Sequence, residues 1–275
     1  MAKASDRERQ LYLEKTAPYR EAIESILKSE NEKLEAIDLD PDGAAFKRIA
    51  LAEDMLDLVS HCIVMNGVSL VMLKTKNEDA LNEARKYIYK SVIYLEQVVG
   101  TLVDAAFSEY KDKAAVIESM DPIQRYDLVR KAGLAIQLLK EAYGDNSKWR
   151  WSFVELEGRY AAATKNILDM KNIVVYMDPR SAFYAPAMGH LRILTRLLSH
   201  AADRYRERYE LSTSNADDFR LAIEFLRVLR RFYIILDNKD EAEDMKKKID
   251  SWSAKLESDL KKRGEASRNA AKKHP

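Results

Sequence analysis

Glycine and proline are nearly missing from this chain, at 8 and 6 of its 275 residues. These two residues punctuate helices and shape the turns that sheets require. Apolar residues recur instead at spacings of three and four along the whole length, and no period-two run is bracketed by turn glycines. The pattern predicts an all-α fold of about nine helices with no sheet. Expected helices cover residues 5–15, 17–37, 44–75, 78–110, 122–143, 147–175, 186–210, 215–236 and 239–262. Short connections make neighbours antiparallel hairpins.

Helix starts carry their own chemistry. Asp121-Pro122 and Asp178-Pro179 place a carboxylate before a proline, whose missing N–H costs nothing at the first helical position. Asn77, Ser147, Ser214 and Asn238 are further cap candidates. The turn Asp38–Gly43 separates two helices, and a longer irregular stretch from Met177 to Gly189 holds Phe183 and Tyr184. Residues 1–264 read as a single helical domain, divisible into lobes 1–115 and 116–264, followed by a disordered basic tail, 265–275.

Charge narrows the partners. The 46 basic residues balance 45 acidic ones, so no global field draws the chain to nucleic acid or anionic lipid. The single cysteine, Cys62, excludes an internal disulfide and fits a reducing compartment, so the expected location is cytoplasmic. The N-terminal residues have no apolar stretch behind their charges and do not form a secretory signal. The apolar run Cys62–Leu73 is shorter than the ~20 residues of a membrane span. Helix 44–75 therefore reads as core or as the seam of a homo-oligomer, and no membrane partner is expected.

The motifs of common catalysis are not in the sequence. No glycine-rich phosphate loop or Gly-x-Ser-x-Gly occurs, and the four histidines lie outside Glu-x-x-His settings. Asp57 and His61, one turn apart, are two groups short of a metal site. Asp217-Asp218 sits in a first helical turn, where acids are favourable without any metal. No metal, cofactor or catalytic residue is assigned.

Helix 215–236 carries the candidate site. Apolar residues from Phe219 to Leu236 cover most of its circumference, leaving a strip of Asp217, Arg220, Glu224, Arg227 and Arg231, with Arg230 beside it. The preceding helix adds Arg192 and Arg196. Planar guanidinium groups suit bidentate capture of carboxylate or phosphate. Arg192, Arg196, Arg220, Arg227, Arg230 and Arg231 are thus expected to line a basic groove for an acidic or phosphorylated segment of another protein. The alternative is internal pairing with Glu224, helped by Asp203, Glu207 or Asp217. Phe183, Tyr184, Trp149 and Trp151 are candidate interface aromatics.

Leu226, Leu229, Tyr233 and Ala242 fall at the spacing of a tetratricopeptide hairpin, which the end of the chain resembles. It departs from that pattern at Asp237, where the turn glycine is expected, and at Lys246, where an aromatic is expected. The stretch from Arg220 through Phe232–Asn238 to Ala242 is also similar to a late hairpin of 14-3-3 proteins. That family's phosphate-gripping triad is not recognisable, so no ligand residue is carried over. The resemblance implies a curved helical array with a concave face. The expected function is a non-catalytic adaptor or scaffold. A self-assembling subunit and an all-helical enzyme with an apolar pocket are the alternatives.

Overall fold

A computed structural model describes residues 5–39, 43–144 and 148–273, with side chains described to residue 265. It is 85% helical, with ten α-helices and no strand among the described residues. They are α1 (Asp6–Leu39), α2 (Ala44–Leu73), α3 (Glu78–Val99), α4 (Phe107–Ala115), α5 (Pro122–Tyr143), α6 (Arg150–Ile167), α7 (Ile173–Tyr176), α8 (Tyr184–Arg208), α9 (Ala216–Ile235) and α10 (Lys239–Lys273). The chain divides into two compact units, Met1–Thr101 with Phe107–His190, and Leu102–Ala106 with Leu191–Pro275. The division falls inside α8 rather than near residue 115.

Several expected caps are in place. Asp121 and Gln124 form a reciprocal capping box at α5, with Pro122 at its first position. The Asn77 side chain accepts the Ala80 N–H at the start of α3. The Ser147 candidate lies outside the described residues. At α9 the cap is Asn215, not Ser214, which adopts φ 50° after the π-helical turn Tyr209–Thr213. Asp178 does not start a helix. Its carboxylate accepts the Arg180 backbone N–H at 2.9 Å and pairs with the same residue's guanidinium, closing a local turn.

Four helices differ in extent from expectation. Residues 5–15 and 17–37 are one helix, α1, with Pro18 inside it. The Thr16 hydroxyl donates to the Tyr12 carbonyl at 2.8 Å beside that proline. The stretch 78–110 breaks at Gly100, whose φ of +81° suits a residue without a side chain. Helix 147–175 stops at Ile167, and α7 is a separate turn. The final helix continues past 262 to Lys273, so residues 265–273 of the expected disordered tail are helical; alanine, lysine and arginine there favour helix against Gly264, Ser267 and Asn269.

In the first unit, α2 is the central element. It packs against α1, α3 and α5. Leu51, Ala52, Met55, Leu58 and Val59 are fully buried. Ser91 donates to the Ala52 carbonyl and Asn77 N–H to the Asn66 side chain, so α2 and α3 run antiparallel. Among the described residues α2 is the one helix long and apolar enough to cross a membrane, with a mean hydropathy of 1.7 over its best window. Its first half is buried in the unit, whereas Val64, Leu70 and Val71 of the second half are exposed.

The α5–α6 corner holds a buried polar cluster. Arg125, 3% exposed, donates from Nε to the Met120 carbonyl, from Nη1 to Ile167 and from Nη2 to Ile117, at 2.9, 2.7 and 2.7 Å. These give donors to the Ile167 carbonyl at the end of α6 and the Met120 carbonyl before α5, and add a second donor to the Ile117 carbonyl, which also accepts from Met120 N–H. His190 is buried beside it, its Nε2 2.9 Å from the Thr164 carbonyl. A carbonyl only accepts, so Nε2 carries the proton. Burial, opposed by that hydrogen bond and aided by the Arg125 charge, pushes the His190 pKa down to about 4.

Gly133 on α5 lets α6 approach. A Cβ there would stand 2.6 Å from the Tyr160 hydroxyl, which donates to the Val129 carbonyl at 2.7 Å. In the second unit, Tyr205 stacks on Phe225 and Tyr209 on Phe219, which also touches Trp252. Tyr205 of α8 and Tyr209 of the π-helical turn that continues it meet Phe225 and Phe219 in reverse order along α9, so the two helices are antiparallel. Asp237, in the α9–α10 turn, has φ 56°. It adopts the left-handed conformation of the glycine that the tetratricopeptide pattern expects there, which aspartate tolerates.

Two outcomes are expected. Gly133→Ala gains about 1 kcal/mol of helix propensity but loses about 1–3 kcal/mol to overpacking and the disturbed Tyr160 bond, for a net loss. Urea unfolding should show that loss shrinking in a Tyr160→Phe background, and equal losses in both backgrounds would contradict the contact. For His190 the unfolded ring binds a proton below about pH 6.5 and the folded ring only below about 4. Stability is therefore lost as pH falls through that window, by about 2 kcal/mol at pH 5. Unfolding at pH 7 and 5 should show that much less acid loss in His190→Gln than in the parent. Equal losses would place the histidine's proton elsewhere.

Candidate functional site

The α9 helix is buried on most sides, as its sequence demands. Phe219, Ala222, Phe225, Leu226, Val228, Leu229 and Phe232 are all within the core of the second unit. Its outer strip keeps the expected residues but gains a partner. Arg231 forms an ion pair with Asp104, and Arg227 stands 4.0 Å from the same carboxylate. Arg220 pairs with Asp217 at 2.7 Å. Arg230 is half-buried, and its Nε has no acceptor among the described residues.

Asp104 was hidden by the reading of 78–110 as one helix, which left it an ordinary surface acid. Gly100 was the signal that could have exposed it, because a glycine that ends α3 frees residues 102–106 to join the second unit. Glu224 takes a different part from the one internal pairing would give it, since among the described residues it makes no ion pair. Burial holds its carboxyl above the usual range and Asp104 pushes the same way, against the opposing charge of Arg227.

Arg192 and Arg196 belong to α8. Both are exposed on the face of α8 that carries Asp203, which bonds Lys248 of α10 at 2.9 Å. Neither makes an ion pair with a described residue. Of the six arginines, Arg220, Arg227 and Arg231 of α9 pair with Asp217 or Asp104, and Arg230, Arg192 and Arg196 do not.

The aromatic candidates of the first unit pack on their own neighbours. The Arg85 guanidinium lies 3.7 Å above the Trp149 ring and Lys148 lies 5.2 Å from it. Trp151 is half-buried with Arg150 at 4.8 Å. Phe183 meets Tyr176 edge to face at 5.5 Å, and Tyr184 opens α8 half-buried. Val174 and Val175 beside them are exposed. His61 packs on Tyr19 at 5.9 Å while Asp57 faces solvent. Among the described residues no three histidine, cysteine or acidic side chains are gathered to hold a metal.

The sequence model of the TP0443 family matches residues 8–260. That match gives no support to the likeness of the last hairpin to tetratricopeptide or 14-3-3 arrays. No curated protein and no solved structure matches the chain.

Proposed function

The chain belongs to the TP0443 family, and we propose from its α9 arginines that it is a non-catalytic adaptor that takes an acidic or phosphorylated segment of another protein. One observation carries the reading: Arg227, Arg230 and Arg231 lie within five consecutive residues, and Asp104 is the carboxylate that pairs with two of them. Each guanidinium offers five donors, so a single aspartate leaves most of them open to an incoming carboxylate or phosphate. The exposed Ile234 and Ile235 continue the helix beyond Arg231 and add apolar contact for the same segment. On this reading Asp104 is an internal competitor that holds the arginines in place until the partner's acid replaces it.

A second reading draws on a different surface. Val64, Leu70 and Val71, the last 70% exposed, leave the second half of α2 uncovered, which favours self-association through that helix. Sedimentation across a wide concentration range decides it, because a constant monomer mass removes the self-assembling subunit.

Affinity capture from lysate, read by mass spectrometry at rising salt, tests the adaptor reading. A captured partner should be lost with Arg227→Glu/Arg231→Glu and released by salt. Asp104→Asn removes the competitor and should strengthen capture severalfold. A partner list unchanged by both variants would overturn the assignment to this strip.

A further inference from the structure

The first unit contains a cavity of about 650 Å³ between α1 and the α2–α3 hairpin. That size lies inside the ~300–1,000 Å³ of small-molecule sites. Cys62 and Tyr87 line it and are buried, at 2% and 8% exposure. Met65 adds apolar surface, and Tyr12 a second aromatic ring. The Tyr12 hydroxyl is already engaged, accepting from the Asn77 side chain at 2.7 Å. The Tyr87 hydroxyl has no hydrogen-bond partner among the described residues. The ring is buried while the hydroxyl stays accessible, so a ligand or water that enters the cavity can bond it.

The charges around that hydroxyl are mainly negative. Glu83 stands one turn before Tyr87 on α3 and lines the same cavity, with Asp79 a further turn back. The positive end of α3 is met by the Asn77 cap and by the first-turn acids Glu78 and Asp79. Glu83 has Lys86 at 2.6 Å on the surface, a pair of exposed groups that is weak. Lys76 also lines the cavity, but its ammonium donates to the Tyr143 carbonyl at 2.8 Å. Arg20 sits at the α1 wall, 5.9 Å from the Tyr12 ring. Burial first, and then the Glu83 charge, pushes the Cys62 thiol up to about 12. Burial, Cys62 and Glu83 in that order raise Tyr87 to about 12 as well. The floor is therefore uncharged and sits in a field that favours a cation.

We propose that this cavity binds a small molecule carrying a primary ammonium group, seated between the Glu83 carboxylate and the Tyr87 hydroxyl. An ammonium supplies the donors that both oxygens accept, and the tyrosine faces attract its charge. Two sources share that chemistry. An amino acid would also present a carboxylate to Arg20, and a diamine would not. This site is separate from the α9 arginines, and neither proposal depends on the other.

Calorimetric titration of the full chain with L-lysine, putrescine and uncharged 1,4-butanediol is the test. Saturable binding of one or both amines and none of the diol is expected. Tyr87→Phe and Glu83→Gln should each weaken it about tenfold, equivalent to one lost hydrogen bond to a charged group. If Arg20→Gln weakens L-lysine but not putrescine, the ligand is an amino acid; if putrescine binds tighter and ignores Arg20→Gln, it is a diamine. Lys86→Gln, which frees Glu83 of its surface partner, should preserve binding and so separates ligand contact from a merely structural use of Glu83. Thermal melting of each variant confirms that it folds. No binding of either amine up to about 10 mM, or binding that Tyr87→Phe and Glu83→Gln leave unchanged in folded protein, overturns the proposal.

Discussion

A single buried guanidinium holds the corner on which the first unit turns. Arg125 meets three backbone carbonyls, at Ile117, Met120 and Ile167, and no described carboxylate balances it at bonding distance. Burial of the charge lowers its pKa, opposed by the more distant Asp169, Tyr176 and Glu118. The hydrogen bonds offset that cost: the Met120 and Ile167 carbonyls gain a donor, and the Ile117 carbonyl, which already accepts from Met120 N–H at 3.0 Å, gains a second. The clamp fixes where α6 ends and where α5 begins, and its charge helps keep His190 neutral against Thr164. The start of α8 is thereby tied to the end of α6.

The two units use charge differently. In the first, carboxylates and cations join helices: Lys33 to Asp54, Lys90 to Glu30, Arg159 to Glu96 and Lys140 to Glu157. Glu30 is nearly fully buried between Lys90 and the Tyr94 hydroxyl, so this pair sets how α1 lies on α3. In the second unit the core is a stack of rings, Tyr205 on Phe225 and Tyr209 on Phe219 with Trp252 behind. Its ion pairs sit largely at the edge, where solvent weakens them and a partner can replace them. That difference is why the adaptor reading rests on α9 and not on the pairs that join helices in the first unit.

Much of the fold was legible because helix signals are local. The Asp121-Pro122 start, the Asn77 cap and the buried girth of α9 all follow from residues within a turn or two of one another. The expected break between 15 and 17 is not there: α1 carries through Pro18, whose missing N–H removes a hydrogen bond that the helix survives without. Gly100 was passed over inside a strong apolar period, and with it went the end of α3 and the position of Asp104. Arg125 could not be found at all: nothing near it in sequence says that the Ile167 carbonyl will need a donor. The cavity at Tyr87 was equally invisible, since tyrosines at helical spacing read as core. The arginine strip was legible as a pattern, but the pairing of Arg227 and Arg231 with Asp104 depends on which segments pack together.

Urea unfolding of Arg125→Lys and Arg125→Leu, with hydrogen exchange read at the amides of α5 and α6, tests the clamp most directly. Three carbonyls spread around a planar fork cannot be matched by a point-charge ammonium. Both variants are expected to lose about 3 kcal/mol or more, with protection falling first at the end of α6. A lysine variant within about 0.5 kcal/mol of the parent, with unchanged exchange, would show that the corner stands without the guanidinium.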